Sequence, residues 1–151
     1  MHPALVFLLV AAGFTLWWGF LLNVIGFASG WWALARRYPA KAHFDGTRFH
    51  FCSAKIGWSN YGGALTFVVN AEGIRLSVLF PFRPGHPPLF LPWEDLDVTV
   101  TKGWFLDYLD LRYRQAPHVR LRLKKHFGDK LIAAANRSWD RAEPPEGDRP
   151  A

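Results

Sequence analysis

The hydrophobic pattern of this chain changes period near residue 47, and that change divides it. From Ala4 to Phe27 almost every position is apolar. A helix rises about 1.5 Å per residue and a bilayer core is about 30 Å thick, so residues 4–27 predict a transmembrane helix with length to spare. Ser29 then reads as the N-cap of a second short helix, Gly30 to Tyr38, stopped by Pro39. Trp31, Leu34, Ala35 and Tyr38 fall on one side of it and Arg36 and Arg37 on the other. This makes it an interfacial helix or a continuation of the span. Residues 1–38 are therefore read as membrane helix plus interfacial extension, and 39–46 as linker.

From Thr47 the apolar period becomes two. Phe49, Phe51 and Ser53 alternate with Arg48, His50 and Cys52, predicting a strand. Leu65, Phe67 and Val69 form the next run, Asn70 to Gly73 a turn, and Ile74, Leu76, Val78 and Phe80 a third strand. Pro81 to Pro88 cannot be regular strand, because proline lacks the ladder donor. Leu89 to Leu91 is short. Leu96, Val98 and Val100 alternate strictly, and Trp104–Arg114 and His118–Lys125 predict the last two strands. A three-residue turn, Gln115 to Pro117, would set Tyr113 opposite Val119, Leu111 opposite Leu121 and Leu109 opposite Leu123. The outer face would then pair Arg112 with Arg120 and Asp110 with Arg122. Phe127, Leu131, Ile132, Ala135 and Trp139 follow at helical spacing. The domain thus spans 47–139, and 140–151 reads as a disordered tail.

Charge sharpens the division. No Asp, Glu, Lys or Arg occurs from Met1 to Ala35, and the net charge of +6 lies wholly beyond that point. A charge at a bilayer centre costs roughly 2.5–3.5 kcal/mol on insertion scales, which explains the exclusion. A cleaved signal peptide is the competing reading, with Ala28-Ser29-Gly30 as the small-residue site. However, no positive segment precedes the run, and it exceeds the usual ~7–15 residues. Arg36, Arg37, Lys41 and Arg48 follow the helix, whereas Met1-His2-Pro3 carries no Lys or Arg. The positive-inside rule then places the N-terminus outside and the domain in the cytoplasm. Trp31, Trp32, Arg36 and Arg37 are the expected anchors at the headgroup level. The lone Cys52 forms no internal disulfide and suits a reducing compartment.

About seven antiparallel strands followed by one helix is the layout of a partly open barrel capped by a C-terminal helix. The stretch Gly73-Ile74-Arg75-Leu76-Ser77-Val78, followed by Leu89-Phe90-Leu91-Pro92-Trp93-Glu94-Asp95-Leu96, resembles bacterial pleckstrin-homology-like and GRAM-like domains. The resemblance covers roughly residues 47–139. It implies a mainly-β domain of that kind behind an N-terminal span in a bacterial inner membrane, and it implies no activity.

Chemistry-bearing patterns are sparse. The six histidines show no paired ligand spacing, and Cys52 has no partner cysteine. His50 and Cys52 share one predicted strand face. There is no nucleophile elbow, phosphate loop or paired-carboxylate signature, so no cofactor and no enzyme is expected. Two surfaces remain. Arg112, Arg114, Arg120, Arg122 and Lys124 form a basic patch suited to anionic lipid or a protein partner, with a solvated edge face as the alternative. The patch is too small to suggest nucleic acid. Thr15, Gly19, Asn23, Gly26 and Gly30, with Ala12, step by three or four and form a small-residue face for a partner helix or a second copy. The Arg83 to Pro88 loop is either a rigid docking surface or a stiffened connection. Together these predict a non-catalytic membrane-anchored binding module or, alternatively, an accessory subunit of a larger membrane complex.

Overall fold

A computed structural model describes residues 2–41 and 43–135. Helix α1 runs Pro3–Ala28. Proline fits its first turn because that N–H has no helical partner, and His2 Nδ1 accepts from Ala4 N at 3.3 Å. Its mean hydropathy reaches 2.2, so it is long and apolar enough to cross a membrane.

Only Ser29 and Gly30 separate α1 from α2, Trp31–Arg37. Gly30, not Ser29, occupies the N-cap, with φ of 90°, a left-handed conformation that glycine adopts without strain. A Cβ there would also lie 2.7 Å from Val119 Cγ2. The serine side chain is used elsewhere, as described below. The apolar side of α2 packs into the protein itself. Trp31 is 0% exposed, and Leu34 and Tyr38 are buried with it in the domain core. Trp31 was expected as a headgroup anchor, but its indole lies under the protein. Amphipathic periodicity reports that one side is buried, not what buries it.

Seven strands follow: β1 Thr47–Ile56, β2 Ser59–Val69, β3 Gly73–Val78, β4 Leu89–Pro92, β5 Leu96–Lys102, β6 Asp107–Tyr113 and β7 Ala116–Lys124. They form one antiparallel sheet in the order β4-β3-β2-β1-β7-β6-β5, and α3, Lys125–Ala134, ends the described chain. The expected layout of apolar helix, seven-stranded open sheet and closing helix therefore holds. β1 joins the two halves, pairing with β2 along most of its length and with β7 only at Lys55 and Ile56.

The strand alternation is as expected on β3, where Ile74, Leu76 and Val78 are buried, and on β5, where Val98 and Val100 are half-buried beside exposed Asp97 and Thr99. It fails on β1. Register shifts at Phe49/Cys52 and Cys52/Ala54 accompany a φ of 55° at Phe51. An extra residue in one strand moves every later side chain to the other face. Cys52, Ala54 and Ile56 therefore point inward, while Phe51 is 76% exposed. His50 is exposed and Cys52 buried, so these two do not share a face.

The β6–β7 register matches expectation from Tyr108↔Lys124 to Leu111↔Leu121 and then shifts. Tyr113 opposes Ala116 rather than Val119, and the turn is Arg114-Gln115 rather than Gln115 to Pro117. Strand β6 begins at Asp107, leaving Trp104 and Phe105 on an exposed loop. The linker 39–46 is partly built into the fold: Pro39 bridges Leu89 and Phe44 packs on Phe90. Trp139 and the tail 140–151 lie outside the described residues.

Candidate functional site

Three separated pieces of chain meet where α1 ends: the α1–α2 junction, the β1–β2 turn, and the proline-rich loop between β3 and β4. Each has a local reason to be there. The last carbonyls of a helix lack intrahelical partners. Trp58, at the tip of the β1–β2 hairpin, donates from Nε1 to Ala28 O at 2.8 Å and satisfies one of them. The proline-rich loop cannot join the sheet, so its carbonyls need other donors. Trp31 Nε1 reaches Pro87 O at 2.8 Å.

Gly85 of that loop lies against the backbone of Leu22 and Asn23, and Gly26 of α1 lies against the carbonyl of Gly85. A Cβ at either glycine would overlap the opposing backbone, so both are needed for this approach. The loop is thus a docked connection, clamped between α1 and α2.

A buried polar chain runs through the joint. Ser29 Oγ lies 3.1 Å from Tyr61 Oη, which lies 2.9 Å from His86 Nε2, and His86 Nδ1 lies 3.0 Å from Pro84 O. All three side chains are buried. Burial pushes the His86 pKa down, against the hydrogen bonds to Pro84 and Phe82 that raise it, so the ring is neutral near pH 7. A carbonyl only accepts, so the proton sits on Nδ1 and Nε2 accepts from Tyr61. Burial also pushes the Tyr61 pKa up, which keeps its hydroxyl a donor. The Tyr61 proton being used on His86, the single Ser29 hydroxyl proton is shared between Tyr61 Oη and Gly26 O at 3.3 Å, which ties the helix junction into this chain. These residues stand 32 and 25 positions apart, and no spacing rule in the sequence links them.

Beside the joint lies an open groove of about 540 Å³ between α1 and the domain. Trp18, Leu22 and Ile25 line one side, and Phe51, Phe80 and Phe82 line the other. No Asp, Glu, Lys or Arg lines it. The Trp18 and Phe82 rings are 5.8 Å apart.

The small-residue face of α1 is therefore divided. Gly26 and Gly30 pack on the chain's own domain. Asn23 donates to Gly19 O at 2.8 Å and Thr15 to Ala11 O at 2.8 Å, so both polar groups are satisfied within the helix. Gly19 meets no neighbouring side chain or backbone from outside its helix.

The basic patch is divided as well. Arg122 forms two hydrogen bonds to Asp110, at 2.7 and 3.1 Å, and Thr101 donates to the same carboxylate at 2.8 Å. Burial alone would raise the Asp110 pKa, but these donors and the Arg122 charge outweigh it, and the pKa lies below the usual value. Arg122 is thus half of a fixed ion pair. Arg112 stands across from Asp97 of β5, and the β6–β7 ladder is interrupted where Arg112 was expected to oppose Arg120. Arg112 therefore has no ladder pairing with Arg120. Arg112, Arg114 and Lys124 are exposed and Arg120 is half-buried. Trp32 is half-buried, and Arg36 and Arg37 are exposed at the end of α2.

Among the described residues no group of three His, Cys, Asp or Glu side chains could hold a metal ion. Cys52 is buried, and burial pushes its thiol pKa up, away from thiolate chemistry. No family model, curated protein or solved structure matches this chain.

Proposed function

We propose that this chain is a non-catalytic binding module, anchored by α1 in a bacterial inner membrane with its domain in the cytoplasm. The observation that carries this reading is the continuity of the apolar helix with the domain core. α1 passes through Ser29 and Gly30 directly into α2, whose Trp31 and Leu34 are core residues. A helix made this way holds a recognition domain at a fixed place rather than tethering it loosely. The sheet order β4-β3-β2-β1-β7-β6-β5 with a C-terminal helix agrees with the resemblance to pleckstrin-homology-like domains.

Arg112, Arg114, Arg120 and Lys124 are the candidate contacts for anionic lipid or an acidic protein face. Arg122 drops out, because Asp110 already neutralises it. The positive residues after α1 support the cytoplasmic placement. Fusing a fluorescent protein or a periplasmic phosphatase to the C-terminus tests it: fluorescence without phosphatase activity is expected, and the opposite result overturns it. Replacing the four basic residues by Gln should weaken binding of residues 30–135 to anionic vesicles or to a co-purifying protein. Unchanged binding to both removes the patch from the reading.

A second reading is an accessory subunit of a larger membrane complex. The uncovered Thr15–Gly19 part of α1 favours it, since small residues allow close helix approach. Recovery of a partner at fixed stoichiometry from native membranes in mild detergent would select this reading.

A further inference from the structure

Helix α1, Pro3–Ala28, is about 39 Å long at about 1.5 Å per residue. The domain lies alongside its second half. Phe82 touches Trp18, and Gly85 rests on Leu22 and Asn23. The part clear of the domain, Pro3 to Trp17, is about 15 residues or about 22 Å long. A hydrocarbon core is about 30 Å thick. A span therefore needs about 8 Å more, roughly the stretch Trp18 to Leu22, and whatever flanks that stretch enters with it.

What flanks it is mostly apolar, with Ser59, Asn60 and His86 as the polar part of the groove lining. Phe80 is 81% exposed and Phe51, on the bulged part of β1, is 76% exposed. With the partly exposed Phe82 they make three large aromatic rings beside a charge-free groove, an unusual cluster for a water-facing domain. Phenylalanine has no polar tip and enters a bilayer favourably on insertion scales.

We propose that this aromatic rim is submerged in the bilayer and that the groove behind it takes one acyl chain of a membrane phospholipid. The inference rests on the membrane-anchor reading above. Three observations favour a chain over other occupants. The groove is continuous with the apolar surface of α1, the lipid-facing surface of any span. Its volume of about 540 Å³ is that of a ligand site. No charged residue lines it, which disfavours a phosphate headgroup inside it.

The test uses the full chain reconstituted in phospholipid nanodiscs containing a phosphatidylcholine with a photoreactive group at mid-chain. Crosslinked peptides are located by mass spectrometry. Labelling is expected in three places: within 3–17, within 59–64 and within 79–82. Gly62 lines the groove and a Cβ there meets nothing, so Gly62→Trp fills the groove without disturbing the backbone. That variant should lower labelling of 59–64 several-fold and leave 3–17 unchanged. Labelling of 3–17 with none on the β domain overturns the proposal and leaves the anchor intact. Absence of labelling on 3–17 overturns the anchor itself. Domain labelling that survives Gly62→Trp assigns it to the outer rim and overturns occupancy of the groove.

Discussion

Replacing Trp31 by Ala separates the two possible destinations of α2. A headgroup anchor could be removed without touching domain stability. The observed Trp31 instead fills the core, with rings of Tyr61 at 5.6 Å and His86 at 5.2 Å, and its Nε1–H satisfies Pro87 O. An indole buries about 150–250 Å², which at about 25 cal/mol per Å² corresponds to about 4–6 kcal/mol as an upper figure. Measured Trp→Ala changes in cores cost about 3–5 kcal/mol. The orphaned Pro87 carbonyl adds to this unless water replaces the indole. A domain of this size loses about 4–8 °C of Tm per kcal/mol, so a fall of at least about 12 °C is expected. Thermal unfolding of the full chain in detergent, followed by near-ultraviolet circular dichroism, measures it. Trp17→Ala, on an exposed part of α1, is the control and should change Tm little. Equal small shifts for both variants would refute the assignment of α2 to the core.

Four further outcomes follow from the same geometry. Burial depresses the His86 pKa, so below about 6.5 the unfolded chain gains a proton that the folded chain resists, and stability should fall as pH drops from 7.5 to 5. His86→Gln should flatten that dependence in paired melting curves, and an unaltered slope would assign it to other groups. Asp110→Ala leaves Arg122 without its partner and should destabilise by about 1–3 kcal/mol, against about 0.5 kcal/mol or less for Arg112→Gln, by chemical denaturation. Gly26→Leu overlaps the Gly85 carbonyl and should expose the 81–88 loop to limited proteolysis, whereas Gly19→Leu should not. A fragment starting at Thr47 lacks the α2 plug and should fail to fold, while one starting at Gly30 should give dispersed amide resonances.

The sheet was largely legible because most strands bury one face, and a half-buried strand leaves a period of two. β3, β5 and the inner part of the β6–β7 pair carry that period without interruption. β1 does not, because the bulge around Phe51 changes the phase within the strand, and nothing in Phe-His-Phe-Cys-Ser marks where. The fate of α2 was hidden for a different reason. Lipid, headgroup region and protein core all select the same apolar side, so Trp31 and Leu34 looked alike in each case. The basic patch was visible as composition, and the hairpin register already set Asp110 opposite Arg122; what it did not show was that Thr101 on β5 also donates to that carboxylate and fixes the pair, taking Arg122 out of the patch. The Ser29–Tyr61–His86 chain left no periodic trace. Its one sequence signal is a histidine placed among four prolines between Pro81 and Pro88.

The two-residue junction at Ser29 and Gly30 has a mechanical consequence. Because α2 is a core element, a displacement of α1 along its axis cannot be absorbed by slack; it is delivered to the Trp31 plug and to the hydrogen bonds at Ser29, Ala28 and Pro87. A membrane thinner or thicker than α1 prefers strains such a helix by fractions of a kcal/mol per Å. In this chain that strain reaches the joint where α1, the β1–β2 turn and the proline-rich loop meet. Where α1 spans a bilayer as proposed, bilayer thickness and domain stability are coupled, and the domain's melting temperature in nanodiscs should track acyl-chain length.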